Sequence, residues 1–129
     1  MRDLARLAID AILGKKGRDL VVLDVHDVSG VADIFLIATA DSELQIRAVH
    51  EAVQESLRKL AGEKPWHVEG TDHAHWVLLD YVDLVVHIFN PEKRAFYSLE
   101  RLWGDAPRED VPDDGAADGV ALLSGGKKS

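Results

Sequence analysis

The 129-residue sequence predicts a single α/β domain with a mixed sheet of about five strands and three helices. Two observations predict this class. Apolar residues at helical spacing alternate along the chain with short runs rich in β-branched residues, in the order helix, two strands, helix, three strands, helix. The apolar fraction of 47% is enough to fill one core at a length typical of one domain.

The N-terminal part predicts a helix followed by two strands. The segment GKKG ends the helix, and the β-branched run at 19–26 predicts the first strand. Ser29 and Gly30 predict a turn, and the run DIFLIATA at 33–40 predicts a second strand buried on both faces. The apolar positions that predict the first helix are Leu4, Leu7, Ala8, Ala11 and Ile12.

A second helix is predicted from the segment ADSELQ to about Leu60. Ser42 followed by Gln45 fits a capping box at its start, and Gly62 and Pro65 end it. Its predicted inner stripe consists of Leu44, Ala48, Val49, Ala52, Val53, Leu57 and Leu60.

The rest of the domain predicts three short strands and a last helix. The strands lie at 66–69, 75–81 and 84–89. Asn90-Pro91-Glu92 combines an N-cap, a proline at the first helical position and an acid, which predicts a helix through about Trp103 that Gly104 closes. We expect Phe96, Leu99 and Trp103 on its inner side.

A change in composition predicts a boundary after residue 104. Residues 1–104 are the expected domain, and residues 105–129 are expected to form a disordered tail because they are rich in Gly, Pro, Ala and Asp with little patterned apolar content. The tail holds six acids and three bases, and its short VALL run is expected to fray.

Composition narrows the classes of function. The formal net charge of −8 argues against a generic nucleic-acid binder and suits a basic protein partner. The sequence contains no cysteine, which excludes disulfides, thiolate nucleophiles and cysteine zinc sites. Charges interrupt the apolar positions at the N-terminus, which argues against a secretory signal peptide. No apolar run reaches the roughly 20 residues that span a membrane. A soluble cytoplasmic protein without a membrane partner is therefore expected.

The stretch HWVLLDYVDLVVHIF at 75–89 has apolar side chains at both odd and even positions. A strand built from it is apolar on both faces. Either helices cover both faces, or one face stays partly uncovered and binds a partner through Trp76 with a polar rim. Along the predicted strand at 75–81, one face carries Val77, Leu79 and Tyr81, and the other carries Trp76, Leu78 and Asp80.

Histidines and carboxylates raise the alternative of an enzyme. His67, His73 and His75 lie near Asp72 and could ligate a metal, although a solvated turn is the favoured interpretation. His87 alternates with apolar residues inside a strand, which favours a hydrogen-bonded, buried or half-buried role.

Two pairs of acids are candidates for general acid–base or two-metal chemistry, Asp80 with Asp83 and Asp24 with Asp27. Asp80 and Asp83 straddle a predicted turn, where aspartate usually bonds local backbone. No P-loop, GxGxxG or GxSxG motif occurs, so neither catalytic residues nor a cofactor or metal is predicted.

Several separated blocks resemble the ribosomal silencing factor family, RsfS, also called Iojap-like. They are DIFLIATADSELQIRAV, an EG pair, WVLLDYVDLVVHIF and RAFYSLERLW, in the family's order. The resemblance covers about residues 3–105. The sequence departs from the family's common residues at four positions: the family often has an aromatic residue where Ile34 stands and a glycine where Ala40, His75 and Val82 stand.

The resemblance implies a regulator of translation and not an enzyme. Members of the family bind the large ribosomal subunit at its protein numbered fourteen and sterically block joining of the small subunit when nutrients fall. Their fold is similar to nucleotidyltransferases without the active site, and the Gly-Ser and Asp-x-Asp pattern of those enzymes is missing from this sequence. No sequence-specific contact to nucleic acid is implied.

On this basis the predicted partner-binding residues are Trp76 and Leu78 as anchors, with Asp80 and Tyr81 at the margin. A homodimer of the free protein through the same face stays open. So does the alternative of a divergent nucleotidyltransferase or metal-dependent hydrolase that uses Asp80, Asp83 and nearby histidines. A structural role is favoured for Glu69, Arg94, Tyr97 and Glu100, which also match family blocks.

Overall fold

The computed structural model of the protein describes residues 2–30 and 32–123. Six strands form one mixed sheet in the order β3-β4-β5-β2-β1-β6. The strands are β1 (Arg18–Asp24), β2 (Ile34–Thr39), β3 (His67–Glu69), β4 (Trp76–Asp80), β5 (Leu84–Phe89) and β6 (Arg108–Val111). The helices are α1 (Arg2–Gly14), α2 (His26–Ser29), α3 (Glu43–Ala61), α4 (Pro91–Tyr97) and α5 (Leu99–Leu102), and single turns of 3-10 helix lie at Ala117–Gly119 and Ala121–Leu123.

The sheet is antiparallel except at its centre, where β2 pairs in parallel with β5. The long helix α3 lies in the connection between these two strands, as a crossover between parallel neighbours requires. Every residue of β2 is buried, which confirms the prediction of a strand covered on both faces.

Helices α1 and α3 pack together and cover one face of the sheet. The predicted cap of α3 is present: Ser42 Oγ accepts from the Gln45 backbone N–H at 3.1 Å. The Gln45 side chain reaches back to the Asp41 backbone N–H at 2.8 Å, one residue before the N-cap. Two members of the predicted inner stripe are wrong, since Leu44 is 79% and Leu60 is 69% exposed. The buried side of α3 consists of Ile46, Val49, His50, Val53 and Leu57.

The predicted last helix is broken in two. Ser98 adopts a left-handed conformation with φ of 46°, so α4 ends and α5 starts in a new direction. Phe96 is 76% exposed, contrary to the expected inner position. Leu99 and Trp103 pack with Phe35 and other residues on the second face of the sheet, toward β1 and β2.

The expectation of a disordered tail from residue 105 is wrong for residues 105–123. Strand β6 pairs with β1, Leu20 opposite Val111, and adds the sixth strand. Two side chains of α1 hydrogen-bond the segment after β6: Asp10 accepts from the Ala117 N–H at 2.9 Å, and Arg6 donates to the Leu123 carbonyl. The buried residues within 105–123 are Ala106, Val111, Ala117, Val120 and Leu123.

The physical reason for this correction is that single apolar residues separated by acids and glycines carry no periodicity. In the fold, β6 nevertheless pairs with the edge of β1, and the segment after it packs against α1, where a few apolar side chains are buried. The domain boundary predicted at 104 therefore moves to at least 123, and residues 124–129 lie outside the described residues.

Candidate functional site: an open apolar face

Strand β4 separates two environments. Val77 and Leu79 are fully buried under the helices, whereas Trp76, Leu78 and Asp80 on the other side are half-buried. The alternation results from the side-chain period of two in a strand. Because α4 and α5 cover only part of the second face, a portion of the surface formed by β3, β4 and β5 is left open.

Strand register builds this surface in rows across the sheet. Leu78 lies between Glu69 of β3 and His87 of β5. Asp80 lies between His67 and Val85, one row further along. Both rows place a charged or polar side chain at the β3 edge, beside the apolar centre of the surface.

A shallow groove of about 360 Å³ runs over these rows. We call its lining the open face; it consists of Phe35, Trp66, Leu78, Asp80, Val82, Val85 and His87. Trp66 and Val82 stand at its rim, 80% and 52% exposed. Apolar side chains this exposed and this close together are unusual on a monomer and are typical of surfaces that bind other proteins.

Trp76 adjoins the groove inside a cluster of aromatic rings. Its ring centroid lies 5.0 Å from that of Phe89 and 4.6 Å from that of Tyr97 on α4. Trp76 is therefore half-buried and supported on two sides, in contrast to the largely exposed Trp66.

The only polar contact of the Trp76 indole in the described part of the chain is with His87. The indole Nε1–H donates to His87 Nδ1 at 3.2 Å. His87 is 4% exposed, and burial lowers its pKa to about 4, so the ring is neutral at physiological pH. Since Nδ1 accepts, the proton sits on Nε2, and that atom has no partner among the described residues.

The turn between β4 and β5 has a strained backbone. Val82 has φ of 76°, a left-handed conformation that β-branched residues rarely adopt. The Asp80 carboxylate supports the turn by accepting from the Val82 N–H at 2.7 Å. This contact agrees with the interpretation of Asp80 as a turn-stabilising residue.

Acidic side chains border the open face. Glu69 is exposed opposite Leu78, and Asp80 is half-buried in the groove. Glu69 also bonds the neighbouring His67, with Oε2 and Nε2 2.6 Å apart. The surface thus joins an apolar centre to a negatively charged margin.

Tyr81 does not belong to this surface. Its side chain is 7% exposed and lies in the core under the helices, with Val77 and Leu79. Burial raises the pKa of its phenol to about 12. The structure therefore brings Trp76, Leu78 and Asp80 together and separates Tyr81 from them.

Arg94 and Glu100 anchor α4 and α5 beside the open face. Arg94 Nε and Nη2 both donate to Glu100 Oε2, at 3.0 and 2.8 Å, and Nη1 donates to the Thr39 hydroxyl at 2.9 Å. The two charged side chains are only 12% and 19% exposed. The buried ion pair agrees with the structural role favoured for both residues. It also fixes α4, the helix that holds Tyr97 against Trp76.

The histidines considered as metal ligands have other partners. His67 bonds Glu69, and His75 Nδ1 lies 3.2 Å from the Asn90 amide nitrogen. His73 and His75 stack with ring centroids 6.5 Å apart. Within residues 2–30 and 32–123, no group of three or more potential ligands is placed to hold a metal ion.

Sequence reasoning missed five members of the open face: Phe35, Trp66, Val82, Val85 and His87. A lone tryptophan between Pro65 and a three-residue strand carries no pattern that distinguishes an exposed ring from a buried one. Phe35 and Val85 are brought together as register partners of β2 and β5, a pairing that only the structure gives.

Fold and surface together define a small α/β protein whose mixed sheet is helix-covered on one side and presents an apolar, acid-rimmed surface on the other. Among the described helices, none combines the length and the apolar character needed to cross a membrane. The chain belongs to the family described as ribosomal silencing factor during starvation, which matches residues 1–122. The match extends through β6 and into the C-terminal turns, beyond the span of the resemblance seen in the sequence.

Relatives and solved structures agree with this membership. The ribosomal silencing factor RsfS of Halalkalibacterium halodurans is 43% identical over 110 residues, covering 82% of this chain and 90% of the relative. The chloroplastic protein Iojap of Arabidopsis thaliana is 37% identical over 112 residues, 85% of this chain and 44% of that protein. A crystal structure of a Chromobacterium violaceum protein superposes with a TM-score of 0.76 at 36% identity, over 79% of this chain and 84% of that one.

Proposed function

We propose that the protein docks through its open face on the large ribosomal subunit, at the protein numbered fourteen, and sterically blocks joining of the small subunit. Translation is thereby silenced when nutrients are limiting. The observation that carries the proposal is the uncovered apolar face in a member of a family named for silencing ribosomes. Trp76 and Leu78 are the proposed anchors, Trp66, Val82 and Val85 extend them, and Asp80 lies at the margin.

Charge supports a basic protein as the partner. The chain carries a formal net charge of −8, and the acids Glu69 and Asp80 lie at the open face. Ribosomal proteins are mostly basic, so an acidic surface is steered toward them while phosphates of the surrounding RNA repel it. No chemical step is required: a block of subunit joining needs affinity and bulk, and an interface of roughly 800 Å² per partner provides both. The site of action is the cytoplasm, where the subunits meet.

A matched pair of substitutions tests the docking surface. We expect Leu78→Glu to abolish co-sedimentation with purified large subunits in sucrose gradients, since docking would bury an unpaired carboxylate. Leu44→Glu makes the same chemical change at a leucine that is 79% exposed on α3, on the helix-covered side, and should sediment with the subunits as the native protein does. Equal binding by both variants would remove the open face from the proposal.

Two further measurements separate the proposal from its alternatives. Added small subunits should fail to join large subunits preincubated with the native protein, and should join them normally after preincubation with Leu78→Glu. A second copy of the chain is the competing occupant of the open face. Light scattering across a dilution series measures the oligomeric state of the free protein. A dimer that dissociates in the Leu78→Glu variant would show that two copies of the chain cover this face in each other.

A further inference from the structure

A buried histidine under an apolar surface needs a physical explanation. His87 is flanked by Phe35, Phe89 and Trp76, whose ring centroids lie 5.0, 6.1 and 6.0 Å from its own. A leucine or phenylalanine would fill such a position without any polar group. Here one ring nitrogen lacks a partner in the described part of the chain, which opposes folding.

The other ring nitrogen makes the one contact that a hydrocarbon side chain cannot make. His87 Nδ1 accepts the Trp76 indole N–H at 3.2 Å. Stacking on Phe89 and the tilted contact with Tyr97 restrain the plane of the indole but do not select which edge points into the sheet. The hydrogen bond selects it, because only one orientation of the indole brings Nε1 to Nδ1.

We propose that His87 is a positioning residue, which holds the Trp76 indole in the orientation required for docking. The inference rests on the proposed function, and it explains why a residue that opposes folding stands in the floor of the groove. A surface whose largest side chain is already ordered loses less conformational entropy on binding. His87 itself makes no contact with the partner in this scheme.

Leucine and asparagine provide a matched pair of substitutions, since their side chains have the same branched shape and number of heavy atoms. In His87→Asn the amide oxygen takes the place of Nδ1 and accepts from the indole; in His87→Leu nothing does. We expect His87→Leu to be at least as stable as His87→Asn, because it buries no unpaired polar atom of its own. The affinity for large subunits should rank in the opposite order. We expect it to be about tenfold weaker than that of the native protein for His87→Leu and within about threefold of it for His87→Asn.

A spectroscopic measurement reports the hydrogen bond directly. The chain has three tryptophans, so ¹⁵N-labelled protein gives three indole N–H signals, and Trp76→Phe assigns the relevant one. Trp66, 80% exposed, supplies the reference for an indole that exchanges freely with water. The Trp76 signal should be protected from exchange in the native protein and in His87→Asn, and unprotected in His87→Leu.

The outcomes distinguish the inference from the proposed function. If folded His87→Leu co-sediments with large subunits as the native protein does, or if His87→Asn loses docking to the same extent as His87→Leu, the positioning role is wrong while docking through the open face stands. If the three proteins rank in docking as they rank in stability, His87 is only structural. If the native protein itself does not bind large subunits, the proposed function fails and this inference fails with it.

Discussion

His87 couples the acid sensitivity of the fold to the surface it supports. Burial holds its pKa near 4, well below the 6.5 of a free histidine, because the interior of the sheet disfavours a charged ring. Protonation of the Nδ1 atom also removes the acceptor of the Trp76 hydrogen bond. The same residue therefore contributes both to the loss of stability and to the loss of the indole contact when pH falls.

The sign of this response is set by linkage. Well above pH 6.5 the ring is neutral in both the folded and the unfolded chain, so it has no effect on the pH dependence there. As pH falls from 6.5 to about 4, the unfolded chain binds a proton that the folded chain refuses, and the free energy of unfolding decreases. We expect urea unfolding across this range to show a steeper loss in the native protein than in His87→Leu.

His50 provides the check on this measurement. Burial lowers its pKa as well, so it destabilises the fold in the same direction, but it is present in both proteins and cancels in their difference. Equal slopes for the two proteins would show that His87 does not remain neutral in the folded state.

Tyr81 offers a test of its corrected position. Its hydroxyl lies in the core and has no hydrogen-bond partner among the described residues. Tyr81→Phe should therefore leave the free energy of unfolding unchanged or raise it by up to about 1 kcal/mol, and should leave docking unaffected. Thermal unfolding and co-sedimentation measure the two effects, and a clear loss of docking would return Tyr81 to the interface.

At the scale of elements, the β4–β5 turn combines strain with exposure. Val82 is forced into a left-handed conformation while more than half of its side chain faces solvent. Such strain costs about 1–3 kcal/mol. Its apolar side chain lies at the rim of the groove, where docking would bury it.

Replacement of Val82 by glycine should separate stability from binding. Glycine adopts positive φ without strain, and its greater freedom in the unfolded chain offsets about 0.5–1 kcal/mol of the gain. We expect Val82→Gly to raise the free energy of unfolding by about 1 kcal/mol and to weaken docking several-fold through lost apolar contact. Val82→Ala retains the strain but shortens the side chain. We expect it to dock as weakly as the glycine variant and to be less stable than that variant, because docking depends on the side chain and stability on the strain. Unaltered docking by both variants would remove Val82 from the interface.

Elements with strong periodicity were predictable from the sequence. Helices α1 and α3, strands β1, β2, β4 and β5, and the N-cap at Ser42 all arise from local patterns that tertiary packing reinforces. The boundary between Tyr97 and Leu99 was not predictable, because the helical spacing continues through the left-handed Ser98.

The candidate site was predictable only in part. The two-faced pattern of β4 correctly separates Trp76, Leu78 and Asp80 from Val77 and Leu79, and places Tyr81 on the buried face. How much of the second face stays open depends on where α4 and α5 pack, which no local pattern determines. Trp66 and Val82 enter the surface through loop geometry, so their exposure could only come from the structure.

At the scale of the whole molecule, residues 105–123 complete the fold. They cover the outer edge of β1 and bury Val111, Val120 and Leu123 against the helix-covered side. Each such side chain contributes on the order of 2 kcal/mol when fully buried. Their sum is comparable with the total stability of a small domain.

Two truncations test this segment. A chain ending at Gly104 should lose about 5 kcal/mol or more in free energy of unfolding, and should show a weak or absent cooperative transition. A chain ending at Leu123 keeps β6 and the C-terminal turns, and we expect its thermal transition to match that of the full chain. If the shorter chain unfolds cooperatively at the native temperature, β6 does not contribute to the stability of the domain.

The pairing of β6 with β1 also determines the order of events during synthesis. Leu20 gains its partner Val111 only late, and contacts so distant in sequence form slowly. A nascent copy of the protein therefore keeps the outer edge of β1 unpaired until β6 has been synthesised and has folded back onto it. Until β6 pairs, that edge exposes backbone N–H and C=O groups with which a strand of another chain could pair.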